Sequence, residues 1–268
     1  MCGTCGCTVT DANAHLLRAA DGQPDTRTVT VLRGLLAAND QEAVHNRAHF
    51  DRARVLAVNL MSSPGAGKTS LLECTIDALR ESIRMAVIEG DLATENDAAR
   101  IRARGVPAVQ ITTGSACHLD AHMVHAALHD LPLGELDVVF IENVGNLVCP
   151  ASFDLGQHRN VTLLSVTEGD DKPAKYPVMF RAADLVLLTK IDLLEVLDDF
   201  SVERAERYVR ELGSAAPVLQ LTARRGAGIE PWIDWVRREL QEHRARVARG
   251  ESARPAVQPD GLVFHAVS

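Results

Sequence analysis

The segment Ser62-Ser63-Pro64-Gly65-Ala66-Gly67-Lys68-Thr69 constrains the fold more than any other stretch of the chain. An apolar run, Val55–Met61, leads straight into it, and a helix-like stretch starts near Ser70. Apolar run, Gly-rich turn and helix together form a strand-loop-helix unit, which demands a sheet to receive the strand and a helix to cover it. The chemistry of the loop points to phosphate. Gly65 and Gly67 let the backbone approach an anion closely, and the loop amides and helix N-terminus present the positive ends of their dipoles. Lys68 neutralises β/γ oxygens, and Thr69 offers a hydroxyl to Mg²⁺. The usual pattern has Gly at its first position, where this chain has Ser62; the remainder fits. Gly65, Ala66, Gly67, Lys68, Thr69 and Ser70 form the expected phosphate cradle, with Lys68 also an expected catalytic cation.

The same punctuation recurs along the chain. Short apolar runs at Met85–Ile88, Ala108–Ile111, Val138–Ile141, Val161–Val166, Leu185–Leu188 and Val218–Leu221 have the length of buried strands, and amphipathic stretches between several of them can supply crossover helices. That alternation predicts an α/β fold, a mostly parallel sheet with helices on both faces. With 268 residues the chain is one large domain with small additions. We expect a cysteine head and flexible tether over residues 1–27, the main domain over 28–241, and a flexible tail over 242–268. No apolar stretch reaches the roughly 18 residues of a membrane span. A formal net charge of −8 repels phosphate backbones and anionic lipid, so neither nucleic acid nor membrane is an expected partner.

Lysine is scarce, at Lys68, Lys172, Lys175 and Lys190, in a chain that otherwise uses arginine, so each lysine marks a place where a compact ammonium matters. Lys190 lies in Leu188-Thr189-Lys190-Ile191-Asp192, similar to the Asn-Lys-x-Asp motif with which GTPases read guanine. The Asp192 carboxylate can accept from guanine N1 and N2, donors that adenine lacks, and such a matched pair discriminates strongly. Thr189 replaces the usual Asn. Downstream, Thr222-Ala223-Arg224 is similar to a Ser-Ala-Lys guanine loop, which adds Ala223 to the base site. Two acids close apolar runs and are candidates for Mg²⁺ or water positioning: Asp91, and Glu142 in Glu142-Asn143-Val144-Gly145. Gly145 stands where its amide can reach a γ-phosphate. The plainer reading of either acid is a helix cap or a solvated strand end.

Six cysteines are too few for a disulfide scaffold, and the N-terminus shows no basic segment followed by an apolar run, so a reducing, cytoplasmic setting is expected. Their placement points to metal. Cys117-His118 and Cys149 follow different strands at the same, carboxyl end of a parallel sheet, and two thiolates with an imidazole suit Zn²⁺ or Ni²⁺. His118, His122, His125 and His129 would share one stripe of a helix. At the helical rise, His122 is about 6 Å along the axis from His118 and can share an ion or a close pair with it, whereas His125 at about 10.5 Å and His129 at about 16.5 Å fall beyond that reach. Cys2, Cys5 and Cys7, spaced by Gly and Thr, can wrap one ion. If Met1 is removed, the Cys2 amine completes a sulfur-rich square-planar set that favours Ni²⁺. Cys74, inside the helix after the phosphate loop, reads as packing.

These segments together closely resemble the HypB family, the nickel-incorporation GTPases of [NiFe]-hydrogenase maturation. The resemblance runs from about Val29 to about Trp235, plus the cysteine head, and includes LLAANDQEAVHNR, NLMSSPGAGKTSLL, IEGDLATENDAARI, TTGSACHLDAHMV, IENVGNLVCP, VTEGDDKPAKYP and LLTKIDLL. It implies a P-loop NTPase of the SIMIBI GTPase type that hydrolyses GTP with Mg²⁺, slowly and as a regulator. It also implies a nickel site at Cys2, Cys5 and Cys7, and a second nickel or zinc site at Cys117, His118 and Cys149. Its implied partners are a second copy of the chain in a GTP-linked homodimer, a HypA-type metallochaperone and the hydrogenase large-subunit precursor. The chain lacks the His-rich storage stretch that some relatives carry between head and body. Three rival readings remain at this point: a GTPase serving urease, a nickel store in which nucleotide is only a structural ligand, and a small-molecule kinase. The cysteine head and the GSACHLDAH segment speak against the first.

Overall fold

The computed structural model describes residues 26–255 except 92–95, 115 and 225, with side chains from residue 36 onward. The cysteine head at Cys2, Cys5 and Cys7 and the residues after 255 lie outside the described residues. Seven strands form one sheet: β1 (Leu56–Ser62), β2 (Met85–Asp91), β3 (Ala108–Thr112), β4 (Val138–Glu142), β5 (Arg159–Ser165), β6 (Leu185–Thr189) and β7 (Val218–Leu221). Their order is β3-β2-β4-β1-β5-β6-β7, and every pairing is parallel. The expected α/β architecture is therefore present, with a sheet that is wholly rather than mostly parallel.

The helices are α1 (Thr26–Ala53), α2 (Lys68–Leu79), α3 (Asn96–Arg102), α4 (Ala121–Leu128), α5 (Lys172–Lys175), α6 (Pro177–Arg181), α7 (Val202–Glu211) and α8 (Ile229–Ala248). Alternation along β1 divides the core. Leu56, Val58 and Leu60 pack with Leu72 and Ile76 of α2 and Trp232 and Val236 of α8, while Ala57 belongs to the opposite layer with Phe50 of α1 and Val124 of α4. A third cluster seats Met179 and Phe180 of α6 and Val209 of α7 against Leu164, Val186 and Leu188. Trp232 stacks on Trp235 at 5.4 Å and donates its indole hydrogen to Thr75 Oγ1 at 2.8 Å, so this large ring is buried without an unpaired donor.

Five strands outrun the apolar runs that announce them at the same end. Ser62, Glu89-Gly90-Asp91, Thr112, Glu142 and Thr189 extend β1, β2, β3, β4 and β6 at their carboxyl ends. Ladder hydrogen bonds continue past the hydrophobic pattern, and the polar residues so held line one edge of the sheet. That edge is where open α/β sheets bind ligands.

The expected tail boundary at residue 241 is corrected. α8 continues to Ala248, with His243 buried, and the chain then folds back so that Ala253 and Pro255 are buried too. Glu239 on this helix accepts from Arg159 Nε at 2.6 Å. The Arg-rich composition after Gln241 reads as a loose end, but successive turns of the helix carry Leu240 and His243 inward.

Candidate functional site

The loop after β1 has left-handed glycines and a buried lysine at the start of α2. Gly65 has φ of 76° and Gly67 a φ of 99°, left-handed values that a side chain makes costly, and Gly67 then caps α2. Lys68 and Thr69 are buried at the first turn of that helix. Lys68 Nζ donates to Ser62 Oγ at 3.2 Å. The serine that departs from the usual loop pattern thus holds the loop lysine. Gly145 is demanded by space: a Cβ there would lie 2.8 Å from the Pro64 Cα and N, so the loop after β4 presses directly on the phosphate loop.

Acids meet on the other side of the cradle. Thr69 Oγ1 donates to Glu142 Oε1 at 2.9 Å, and Glu89, Asp97 and Glu142 bring carboxylate oxygens within 4.8 Å of one another. Asp91 lines the same cleft with Gly65, Gly67, Lys68, Thr69, Ser70 and Gly145, in a space of about 390 Å³. The converging set is therefore Glu142 with Glu89 and Asp97, not the Asp91–Glu142 pair alone. Glu89 could have been found as the carboxylate that directly follows the apolar run Met85–Ile88; Asp97 comes from the short helix α3 and had no such signal. Burial, reinforced by Glu142, pushes the Glu89 carboxyl up to about 8. Burial likewise pushes Glu142 up to about 7, with Lys68 and Thr69 opposing. Glu89 Oε2 and Glu142 Oε2 are buried without hydrogen-bond partners. Two orphaned oxygens among three crowded carboxylates fit a hard divalent cation such as Mg²⁺.

Thr189 and Lys190, from the segment expected to read the base, reach the same loop from the β6 side. Thr189 Oγ1 donates to the Ala66 carbonyl at 2.7 Å, and Lys190, in a left-handed conformation with φ of 59°, donates from Nζ to the Gly65 carbonyl at 2.8 Å. Asp192 follows, half-buried, in a single 3₁₀ turn at Ile191–Leu193. The Ala223 carbonyl accepts from Cys74 Sγ at 2.8 Å, so Cys74 is more than packing: it fastens α2 to the loop after β7. Burial raises its thiol and keeps it protonated for that bond.

Cys117, His118 and Cys149 come together as expected, with ligand atoms within 4.8 Å of one another and the two sulfurs 3.3 Å apart. His118 stacks on Phe153 at 3.9 Å, and burial holds its imidazole below the usual histidine range, which keeps it neutral and able to bind metal. The histidine stripe is corrected. Asp120 caps α4 through the Met123 N–H, so His118 lies before the helix and off its register. His122 is exposed and is not in the Cys117 cluster, while His125 joins His45 and His49 of α1.

One segment touches both clusters, and of its residues Glu142, Gly145 and Cys149 carried a sequence signal. The Asn146 N–H donates to the Ser62 carbonyl at 2.7 Å, at the entrance of the phosphate loop, and its Nδ2 donates to the Cys117 carbonyl at 3.3 Å. Asn143 Oδ1 accepts from the Leu119 N–H at 3.1 Å. Residues 142–149 therefore run from the acid cluster, past the entrance of the phosphate loop, to the cluster of Cys117, His118 and Cys149.

Among known proteins, the domain described as CobW/HypB/UreG, nucleotide-binding domain, matches residues 56–220. The hydrogenase maturation factor HypB of Azotobacter vinelandii is 52% identical over 245 residues, covering 91% of this chain and 79% of that protein. The crystal structure of HypB from Helicobacter pylori in complex with nickel superposes with a TM-score of 0.73 at 41% identity, covering 76% of this chain and 96% of that one. HypB from Archaeoglobus fulgidus gives a TM-score of 0.72 at 38% identity, covering 76% of this chain and 100% of that one.

Proposed function

We propose a function from one premise: the chain belongs to the HypB family of hydrogenase maturation factors and carries its nucleotide-binding domain. On this reading it is a cytoplasmic GTPase that binds Ni²⁺ and delivers it to the precursor of the [NiFe]-hydrogenase large subunit. The observation that carries the reading is the shared segment 142–149. Glu142 accepts from Thr69 of the phosphate loop at one end, and Cys149 stands 3.3 Å from Cys117 at the other.

The residues divide the work. The loop amides and Lys68 receive the phosphates of GTP, and Asp192 selects guanine with Lys190 and Ala223 flanking the base. Thr69, Glu142, Glu89 and Asp97 would hold Mg²⁺, which when bound neutralises charge on the β/γ oxygens. Gly145, already against Pro64, would donate its amide to the γ-phosphate. A γ-phosphate seated there fixes residues 142–149, and its loss frees them. Cys117, His118 and Cys149 then hold nickel, their cargo, in two geometries of different affinity; the same donor set also accepts Zn²⁺. Three donors leave room for a further ligand from outside. The exposed Val148, next to Cys149, gives a second copy of the chain or a HypA-type carrier an apolar contact beside the metal. Hydrolysis is then a slow timer for release.

Linkage requires that nucleotide and nickel change each other's binding by the same factor, typically about 5–150-fold. Nickel affinity measured with GDP and with a non-hydrolysable GTP analogue should differ within that range. Equal affinities in the two states would sink the coupling.

A further inference from the structure

Away from both clusters, three histidines from two helices converge on the surface. His45 and His49 stand one turn apart on α1, and His125 stands in the last turn of α4. Their ligand nitrogens lie within 4.8 Å of one another. The His45 and His49 Nε2 atoms are 3.2 Å apart. Two imidazole nitrogens bound at about 2.0–2.1 Å to one ion would be separated by about 3.0 Å at a right angle and about 3.4 Å in a tetrahedron, so the observed spacing falls between the two geometries.

The surroundings supply what metal-binding imidazoles need behind them. His125 Nδ1 lies 3.0 Å from Asn46 Oδ1 and 3.3 Å from the Glu42 carboxylate, and His45 Nδ1 lies 3.6 Å from the same carboxylate. Asn46 Oδ1 accepts from His125, which places that ring's proton on Nδ1 and leaves its Nε2 lone pair available, and the Glu42 carboxylate faces both rings. Asn46 is itself fixed, donating to the Ala121 and Leu155 carbonyls at 2.7 and 3.1 Å. His129 follows on the next turn of the chain, its ring 5.0 Å from that of His125.

A second cluster, Asp51, His158 and His243, lacks this character. His158 Nδ1 accepts the Ala57 N–H at 2.9 Å, so Nε2 keeps the proton that faces Asp51 at 3.2 Å and has no lone pair for a metal.

We propose that His45, His49 and His125 form a separate divalent-metal site, bridging α1 and α4, that binds Ni²⁺ through imidazole nitrogen. Borderline ions such as Ni²⁺ and Zn²⁺ match that donor set. The site is independent of the nucleotide and of the thiols. It supplies, by tertiary packing, imidazole ligation that the chain does not carry as a contiguous His-rich stretch.

The test uses the full chain in a background with Cys2, Cys5, Cys7, Cys117 and Cys149 replaced by serine, so that bound nickel shows no thiolate charge-transfer absorbance. Equilibrium dialysis with Ni²⁺ should find one ion per chain. His45→Ala/His49→Ala and, separately, His125→Ala should each weaken it at least about 10-fold, as loss of a ligand does. His122→Ala, exposed on the same helix, should leave it intact. Far-UV circular dichroism of every variant keeps loss of binding distinct from loss of fold. Unchanged binding in His45→Ala/His49→Ala overturns the site, an equal loss in His122→Ala reduces it to scattered surface histidines, and unchanged binding in His125→Ala overturns the bridge between helices.

Discussion

The cluster of Glu89, Asp97 and Glu142 and the cluster of Cys117, His118 and Cys149 are each compact enough to hold one ion, yet they are built from opposite materials. The first is a hard oxygen cluster with Glu89 and Glu142 on the ends of neighbouring strands, where ladder bonds from both sides fix the backbone. The second is a soft sulfur and imidazole cluster on irregular loops, with Cys117 and Cys149 half-buried. A rigid site suits a ligand whose presence is to be read, and a loop-borne site suits a ligand that must be gripped and released. The bridge between them is short, because Asn146 alone bonds both Ser62 and the Cys117 carbonyl.

If the two clusters are separate in chemistry, single changes should strike one side. Lys68→Ala should lower GTP turnover about 100-fold or more, the scale on which a preorganised charge at a phosphoryl group acts. Cys149→Ser should weaken nickel at this centre by more than the roughly 10–100-fold that changes behind a ligand cost. Phosphate release and competition against a chromogenic chelator read the two losses. A Lys68→Ala protein with normal turnover would remove the phosphate assignment, and full nickel affinity in Cys149→Ser would remove the thiol assignment.

A smaller effect tests the bridge. Asn146→Ala keeps both sets of ligands but deletes the hydrogen bond to Cys117. Nickel affinity in each nucleotide state should stay within a few-fold, while the ratio between the GTP-analogue and GDP states should shrink by about 5-fold, within the usual size of coupling between sites. A ratio identical to that of the unaltered chain would mean that the two clusters communicate by another path.

The strands and the phosphate loop were legible in the sequence because burial on both faces writes a short apolar run and a tight turn demands glycine. Cys117, His118 and Cys149 were legible because parallel topology sends the loops that follow strands to one edge. What escaped was set by tertiary contact. Asp97 enters the acid cluster from a helix with no special pattern, and Asn143 and Asn146 act through hydrogen bonds that depend on where the phosphate loop lies. The histidine stripe failed for a local reason: Asp120 starts the helix after His118, which breaks the register that would have aligned His118 with His122, and α1 then takes His125 for a different cluster.

The smallest effect concerns what each cluster costs the fold before any ion arrives. Glu89 and Glu142 have carboxyls raised to about 8 and about 7, chiefly by burial, against a value near 4.5 in the unfolded chain. Between about pH 4.5 and 8 the folded protein therefore binds more protons than the unfolded one, and its stability falls as pH rises through that window. Glu89→Gln removes the charge and so gains relative stability over the same window. Without nucleotide, the melting temperature of Glu89→Gln minus that of the unaltered chain should be near zero at pH 5 and reach several degrees by pH 8, at roughly 2–4 °C per kcal/mol for a domain of this size. Saturating Mg²⁺ with a GTP analogue should reverse the sign at pH 8, because a cation then favours the ionised carboxylate that glutamine lacks. No such pattern is expected for Cys117→Ser on adding Mg²⁺, since sulfur is a poor ligand for a hard ion. Differential scanning fluorimetry across the range decides it: a difference flat with pH would show that Glu89 is not held in its neutral form, and the contrast between a strained oxygen cluster and a relaxed sulfur cluster would fall with it.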